Sequence, residues 1–327
     1  AAWLGYPGAQ TELGRCLEFG LGVAEDLAKA AEWYRAAAEQ GNAPGQCCLG
    51  YCYEAGRGVE QSWAEAVRWY RLAAEQGYPR AQCNLAWCYE HGQGVEQSDV
   101  EAAKWYRAAA EQEYPRGELC MGFCCERGRG VPLDPSAAAD WYRKAAEQED
   151  EDAQCCLGFL YESGQGVEQS WEEAVRWYRA AAEQGMPRAQ CNLGVCWEFG
   201  HGVAKDPAKA ADLYRQAAEG GDRVAACNLG YLYETGVGVA QSWADAVKWY
   251  RQAVEESEPR AQYNLAWCYE HGKGVPRDLR QARELYQAAA KQGYAGAQEA
   301  ADRMEKDGSR RRGGGFLRGF LDGLRGQ

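Results

Sequence analysis

The chain of 327 residues has little of what many functional classes require. It contains three histidines, which leaves few sites for imidazole-based catalysis or metal binding. No apolar run approaches the roughly 18 residues that a membrane-spanning helix needs. Cationic residues are also in deficit, because 36 Lys and Arg against 48 Asp and Glu give a net charge of −12. Such a surface repels phosphate backbones, so no nucleic acid partner is expected.

The first residues carry neither an initiating methionine nor a charged leader followed by an apolar run. The opening stretch AAWLGYPGAQ is instead similar to AAEQGYPRAQ at residues 73–82. We therefore interpret residues 1–8 as the remnant of a preceding repeat. A leader peptide lost upstream would imply secretion. This is the alternative to a cytoplasmic location, which the cysteine content favours.

Internal repetition is what the sequence has in abundance. The phrase AQCNLAWCYEHGQGV at residues 81–95 returns as AQYNLAWCYEHGKGV at residues 261–275, which is 180 residues or five times 36 later. A fixed period of this size predicts stacked supersecondary units, here eight repeats over residues 9–296. The tripeptide WYR marks the period, with leucine at two of its eight places: Trp33, Trp69, Trp105, Trp141, Trp177, Leu213, Trp249 and Leu285.

Each repeat is predicted to contain two helices. In the repeat at residues 81–116 the first helix ends at Gly92, because glycine enters the left-handed cap conformation without strain. The second helix is expected to begin at Ser98, a favourable N-cap residue. Where Glu follows three residues after the serine, as with Ser62 and Glu65, the pattern predicts a reciprocal capping box.

The other positions that recur in every repeat are assigned to the scaffold. Glycine or alanine on the first helix, as at Gly50, and alanine on the second, as at Ala66, predict a close approach of the two helices. Tyr34 and its equivalents are predicted to fill the core, each contributing roughly 1.5–3 kcal/mol on burial. A glutamate precedes the loop in every repeat, as at Glu54. Eight identical carboxylates favour a structural hydrogen-bonding role over eight catalytic acids.

The pattern LG.YE.G.GV, the capped second helix and WYR.AAEQG...AQ at period 36 resemble the Sel-1-like repeat family, a relative of the tetratricopeptide repeat. The resemblance covers about residues 9–298. It implies an all-α, right-handed superhelical solenoid of antiparallel helix pairs. It also implies partner binding, as in bacterial signalling and host-contact proteins, and rarely catalysis. We assign residues 297–308 to a C-terminal capping helix and residues 309–327 to a flexible, basic, glycine-rich tail.

The 15 cysteines all lie in predicted first helices. We interpret them as small core side chains, and abundant unpaired cysteine favours a reducing compartment. Some secreted members of the family resembled here bridge the first helix to the end of the second, but no second helix of this chain contains a cysteine. Metal binding at Cys48 and Cys52, or at Cys120, Cys124 and Cys125, remains the alternative.

Positions that are large but varied are candidates for a partner site. The seventh place of the repeat holds Arg15, Tyr51, Trp87, Phe123, Phe159, Val195, Tyr231 and Trp267. Three residues earlier, on the same helical face, stand Asn84, Asn192, Asn228 and Asn264. The tetratricopeptide resemblance implies that this face lines a concave groove, where rings cover apolar side chains and amides pair with a peptide backbone. Alternatively, these rings pack between neighbouring first helices.

The sequence therefore predicts a non-enzymatic scaffold that binds a peptide or protein, without cofactor, metal or catalytic residues. His91 and His271 precede capping glycines, where a cation suits a helix end. The alternatives are a hydrolase of cell-wall or β-lactam compounds, as reported for cysteine-rich relatives, and a secreted host-contact factor. Apolar residues of the tail suggest a weak contact with a membrane surface or a partner. The alternative is that their spacing is incidental. These residues are Phe316, Leu317, Phe320, Leu321 and Leu324.

Overall fold

The computed structural model describes residues 2–305, and over this range the chain is helical without strands. A short 3-10 helix, Ala2–Leu4, precedes sixteen α-helices, and residues 297–305 are also helical. The all-α fold of helix pairs is confirmed. The α-helices are α1 Pro7–Phe19, α2 Leu27–Glu39, α3 Ala43–Ala55, α4 Trp63–Glu75, α5 Pro79–His91, α6 Asp99–Ala110, α7 Pro115–Arg127, α8 Pro135–Glu147, α9 Glu151–Ser163, α10 Trp171–Glu183, α11 Pro187–Phe199, α12 Pro207–Glu219, α13 Arg223–Thr235, α14 Trp243–Glu255, α15 Pro259–His271 and α16 Leu279–Lys291.

The helices group into two compact units, Ala1–Ser170 and Trp171–Gln327. Within each unit, every helix packs mainly against the helix before it and the helix after it in the chain. Odd-numbered helices are the first helices of the repeats and even-numbered helices are the second. The core of each unit is therefore built between consecutive helices.

The helix ends follow the sequence pattern with one correction. Gly92 ends α5 at φ 65°, and its N–H donates to the carbonyl of Cys88. The hydroxyl of Ser62 accepts from the N–H of Glu65 at 3.3 Å, as predicted. The reciprocal half of the capping box was wrong, because the N–H of Ser62 donates to the carbonyl of Tyr53 at 2.9 Å. The carboxylate of Glu65 pairs with Arg68 instead.

The second glycine of each loop has a separate role. Gly94 has φ 70°, and a Cβ built on it would lie 2.5 Å from the carbonyl oxygen of Trp63. The loop of one repeat therefore lies directly against the start of the preceding second helix. Gly274 makes the same backbone contact with Trp243. Glycine is needed here for close approach as well as for its positive φ.

A layer of buried tyrosines lies between the two helices of each repeat. Tyr70 is fully buried, and a Cβ on Gly50 would lie 2.7 Å from its ring. Its hydroxyl donates to Glu54 at 2.5 Å, which confirms the structural role predicted for the repeated glutamate. Burial raises the pKa of the Tyr70 hydroxyl. The pairs are Tyr34–Glu18, Tyr70–Glu54, Tyr106–Glu90, Tyr142–Glu126, Tyr214–Glu198, Tyr250–Glu234 and Tyr286–Glu270.

Cysteine contributes to the same core. Eleven of the 15 cysteines are buried, and the other four are half-buried. Burial raises the pKa of Cys47 and of Cys268 to about 12, so both thiols are protonated at neutral pH. Over residues 2–305, no group of three or more Cys, His, Asp or Glu side chains is arranged to hold a metal ion.

Candidate functional site

The first-helix place predicted to bind a partner is exposed to very different degrees along the chain. Phe159 is 39% exposed and Tyr231 is 48% exposed. The remaining rings are half-buried, as are the amides three residues earlier: Tyr51, Trp87, Phe123, Trp267, Asn84, Asn192, Asn228 and Asn264. We call this set of positions the first-helix face.

Trp87 lies in a stack of three rings. Its ring centroid is 5.6 Å from that of Trp63 at the start of α4, with 27° between the ring planes. On its other side the ring of His91 stacks at 4.3 Å. His91 also places Nδ1 3.0 Å from the carbonyl oxygen of Trp87, so it lies against the helix end. The stack holds the indole in one orientation while the imidazole remains exposed.

The same stack recurs in the eighth repeat. Trp267 lies 5.6 Å from Trp243 and 4.3 Å from His271. Lys273 adds a cation 5.6 Å from the Trp243 ring. Sequence comparison linked Trp87 with Trp267, but it did not identify their partners on the preceding second helix. The signal was present, since tryptophan also occurs in equivalent positions at residues 63 and 243.

The asparagines of the first-helix face are partly engaged with the scaffold. The Nδ2 atom of Asn84 lies 3.8 Å from the Sγ atom of Cys47 in the preceding first helix. Asn228 makes the equivalent contact with Cys191 at 3.9 Å, and its Oδ1 atom accepts from Arg260. Thiol contacts at these distances are weak, so the amides retain capacity for a further partner.

A small cavity lies beside Phe123. Its volume is about 150 Å³, and Glu90, Cys120 and Arg129 contribute to its wall. Arg129 donates to Glu90 at 2.8 Å and pairs with Asp99 at 3.2 Å. Burial raises the pKa of Cys120 to about 12, which removes thiolate character at neutral pH. This cavity therefore contains polar groups but no activated nucleophile.

Two further predictions concern membranes. Over the described range, 2–305, no helix combines the length and apolar character that crossing a bilayer requires. The apolar tail residues Phe316, Leu317, Phe320, Leu321 and Leu324 lie outside the described residues, so their predicted contact stays a prediction.

The chain is similar in sequence to one protein family along nearly all of its described length. The family model for the Sel1 repeat matches eight consecutive segments. The matched segments are residues 7–42, 43–78, 79–114, 119–150, 151–186, 187–222, 223–257 and 259–294. No protein of curated function matches the chain at a significant level.

Among the solved structures that are similar over more than nine tenths of this chain are two that are more than 30% identical to it. One is c5321, described as a protective antigen present in uropathogenic Escherichia coli strains and displaying an SLR fold. It is 40% identical with a TM-score of 0.79, covering 92% of this chain and 64% of c5321. The chain thus spans less than two thirds of that protein. The other is a Sel1 repeat protein from Oxalobacter formigenes, 31% identical with a TM-score of 0.71, covering 93% of this chain and 88% of that one.

Proposed function

Because the chain belongs to the Sel1 repeat family, whose members generally mediate protein–protein interactions, we propose that it is a non-enzymatic scaffold with a peptide or protein partner on its first-helix face. We assign this scaffold to the assembly of a signalling or regulatory complex. The observation that carries the proposal is the pair of ring stacks centred on Trp87 and Trp267.

Two properties of the stacks support partner binding. Each indole is half-buried and held between a second-helix tryptophan and a histidine, so little side-chain entropy is lost when a partner covers it. Tryptophan is also enriched among residues whose truncation costs about 2 kcal/mol or more of binding free energy. The neighbouring amides of Asn84 and Asn264 supply hydrogen bonds to a peptide backbone.

The protonation state of the thiols supports a binding function without catalysis. Burial raises the pKa of Cys48 to about 11 and the pKa of Cys124 to about 12. These thiols are protonated at neutral pH, and a protonated thiol is a poor nucleophile. We therefore favour binding over hydrolysis as the activity of this chain.

The test compares three tryptophan variants after a partner has been captured and identified by mass spectrometry. Trp87→Ala and Trp267→Ala, alone and together, should each weaken partner binding about tenfold or more, or roughly 1.4 kcal/mol. The melting temperature should fall by only a few degrees. Trp105→Ala is the matched control, because this half-buried tryptophan lies on a second helix.

A sharp loss of melting temperature with unchanged affinity of the folded fraction would assign the rings to the core and refute the proposal. The net charge of −12 adds a condition on the partner. A basic partner should bind more weakly as salt rises, because screening removes long-range attraction.

We also propose a cytoplasmic location, because buried cysteines are maintained most easily in a reducing compartment. Thiol labelling of the native protein, purified without reductant, should modify few of the 15 cysteines, and labelling after denaturation should modify nearly all. Recovery of most cysteines as disulfides would contradict this location.

A further inference from the structure

The sixth repeat, residues 189–224, departs from the others at three places that are close together in space. Leu213 stands where six repeats have tryptophan, Trp197 where five have tyrosine, and Gly220 where Gln40, Gln76 and their equivalents stand. Each replacement removes a group that the other repeats use. A cavity of about 510 Å³ lies at this place, between α10, α11 and α12.

The cavity has an apolar floor and a polar mouth. Ala182, Leu193 and Leu213 lie on its apolar side, together with the ring of Trp197. The exposed side chains of Arg179 and Lys209 lie at its mouth. Its volume falls within the range of about 300–1,000 Å³ that is typical of ligand sites.

Because residue 213 lacks an indole, the cavity reaches the core side chain of Leu193. Ala182, which faces it, is 9% exposed, whereas the equivalent alanines that face a tryptophan of the next repeat are at most 2% exposed: Ala38, Ala74, Ala110, Ala146 and Ala218. In the fourth repeat, where Trp141 is present, a cleft of the same volume, about 510 Å³, lies at the equivalent place, but it does not reach the fully buried Met121. In the eighth repeat, leucine again replaces tryptophan, but Val254 takes the place of the facing alanine, and both Val254 and Leu285 pack against the core.

The replacements also leave two polar groups without their usual partners. Five arginines equivalent to Arg179 donate to a tyrosine hydroxyl of the next repeat: Arg35 to Tyr53, Arg71 to Tyr89, Arg143 to Tyr161, Arg215 to Tyr233 and Arg251 to Tyr269. Arg179 faces Trp197, whose ring has no acceptor, and within residues 2–305 its guanidinium has no hydrogen bond.

Gln190 is in a similar position. In five other repeats the side-chain oxygen at its place accepts from a second-helix glutamine, as Gln46 does from Gln76 at 2.7 Å. Gly220 offers no amide, so the Oε1 atom of Gln190 has no donor among the described residues. The cavity therefore offers one strong donor and one acceptor above an apolar floor.

We propose that this cavity binds a tyrosine side chain of a protein partner. The phenol ring occupies the volume that the second-helix tryptophan fills in other repeats. Its hydroxyl accepts from Arg179, as Tyr233 accepts from Arg215, and donates to Gln190. The charges at the mouth balance, Arg179 and Lys209 against Glu183 and Asp212, which suits a neutral phenol better than a carboxylate.

This site shares no residue with the first-helix face, so it is independent of the function proposed above. The test uses the peptide acetyl-Gly-Gly-Tyr-Gly-Gly-amide, with Phe and Ala versions, titrated against the whole chain by calorimetry or NMR. The Tyr peptide should bind at least about fivefold more tightly than the Phe peptide, because only a hydroxyl pairs with Arg179. The Ala peptide should show no saturable binding.

Variants of the chain locate the binding. Leu213→Trp should weaken binding of the Tyr peptide about tenfold or more while the melting temperature is maintained, and Leu285→Trp is the matched control. Ala182→Val, which copies Val254 of the seventh repeat, fills the same space if Leu213→Trp does not fold. Arg179→Gln should reduce the affinity for the Tyr peptide to that for the Phe peptide, whereas Arg251→Gln should not.

Three outcomes would overturn the proposal. Equal binding of the Tyr and Ala peptides would remove the ring from recognition. Unchanged binding by Leu213→Trp and Ala182→Val would place the phenol elsewhere. Binding of free p-cresol without binding of the Tyr peptide would assign the cavity to a small phenolic compound instead of a side chain.

Discussion

The sixth and seventh repeats differ at the positions that line the cavity and agree at the positions that pack the two helices of each repeat together. Tyr214 donates to Glu198 at 2.7 Å, and Tyr250 donates to Glu234 at 2.6 Å, so the tyrosine layer continues through both repeats. The second-helix tryptophan does not continue, because Leu213 takes its place while Trp249 is present and buried. The tyrosine is constant because it stabilises the fold. The tryptophan position varies, which is what we expect of a position that can bind a partner.

The physical reason lies in what each side chain replaces. Removing the tyrosine hydroxyl leaves a carboxylate at the base of the loop without its donor. Removing the indole leaves apolar surface and solvent-accessible polar groups, which a partner can cover. The comparison thus predicts large effects for changes in the tyrosine layer and small effects for changes that other repeats already contain.

Alkaline pH should have the largest effect. Burial raises the pKa of Tyr70, Tyr142 and Tyr250 above the value of about 10 that tyrosine has when unfolded. A group whose pKa is raised by folding stabilises the fold below its unfolded pKa, and that contribution is lost as the pH rises further. Stability should therefore decrease above about pH 10. Absorbance at 295 nm should show that the buried phenols ionise only as helical circular dichroism is lost.

Ionisation of all 20 tyrosines near pH 10 with unchanged helicity would contradict this expectation. It would show that the layer is accessible to water and that the Tyr–Glu pairs do not depend on the packing around them.

Gly94→Ala should be the most damaging of the single substitutions considered. It combines positive φ with a Cβ only 2.5 Å from a carbonyl oxygen of Trp63, so backbone must move. We expect a loss of roughly 2–4 kcal/mol in the free energy of unfolding. Gly92→Ala is the matched control, since its new Cβ would lie no closer than 3.3 Å to another atom, the Cβ of Gln97, and the strain comes mainly from the cap conformation. Chemical denaturation compares the two, and equal losses would refute the close-approach role.

Tyr70→Phe should have the next largest effect. The substitution keeps the ring and removes the donor to Glu54, at an expected cost of about 1.5–3 kcal/mol. Tyr53→Phe is the control, because its half-buried hydroxyl accepts from Arg35 at 3.0 Å and the partly exposed guanidinium can turn to water. A Tyr70→Phe variant as stable as the original chain would leave the repeated glutamate without the role assigned to it.

Gly50→Ala should have the smallest effect, because two other repeats already have alanine at the equivalent position. In the two repeats with Ala86 and Ala266, the Tyr–Glu distances are 2.9 Å and 3.0 Å, against 2.5–2.7 Å in the repeats with glycine. The longer hydrogen bond and the better helix propensity of alanine, about 1 kcal/mol, act in opposite directions. The free energy of unfolding should change by less than about 1 kcal/mol. A larger loss would show that Tyr70 cannot shift as Tyr106 does.

Much of the fold was predictable because the repeated residues act locally. Gly92 and Ser98 specify helix ends through their own backbone and side chain, and the period of 36 fixes the order of the elements. The structural role of Glu54 followed from its repetition alone. Its partner Tyr70 did not, because a separation of 16 residues corresponds to no local rule and depends on how the two helices pack.

The candidate sites were less predictable. Trp87 was recognised as large and varied, but its contact with Trp63 crosses between repeats and depends on where the loop lies. The cavity beside Leu213 was missed although the leucine was visible as a gap in the tryptophan series. Its significance required the exposure of Ala182 and the unpaired Arg179, which arise only when three helices are assembled.

The contact between a loop glycine and the preceding second helix also bears on how such a gene can change length. The phrases at residues 81–95 and 261–275 are 180 residues apart, so an exchange between them removes five complete periods. Gly274 would then meet Trp63 in place of Trp243, which is the same residue type in the same backbone contact. Trp267 would likewise stack on Trp63. The junction that recombination creates is therefore one the protein already contains, and whole periods can be lost or gained without a new interface being invented.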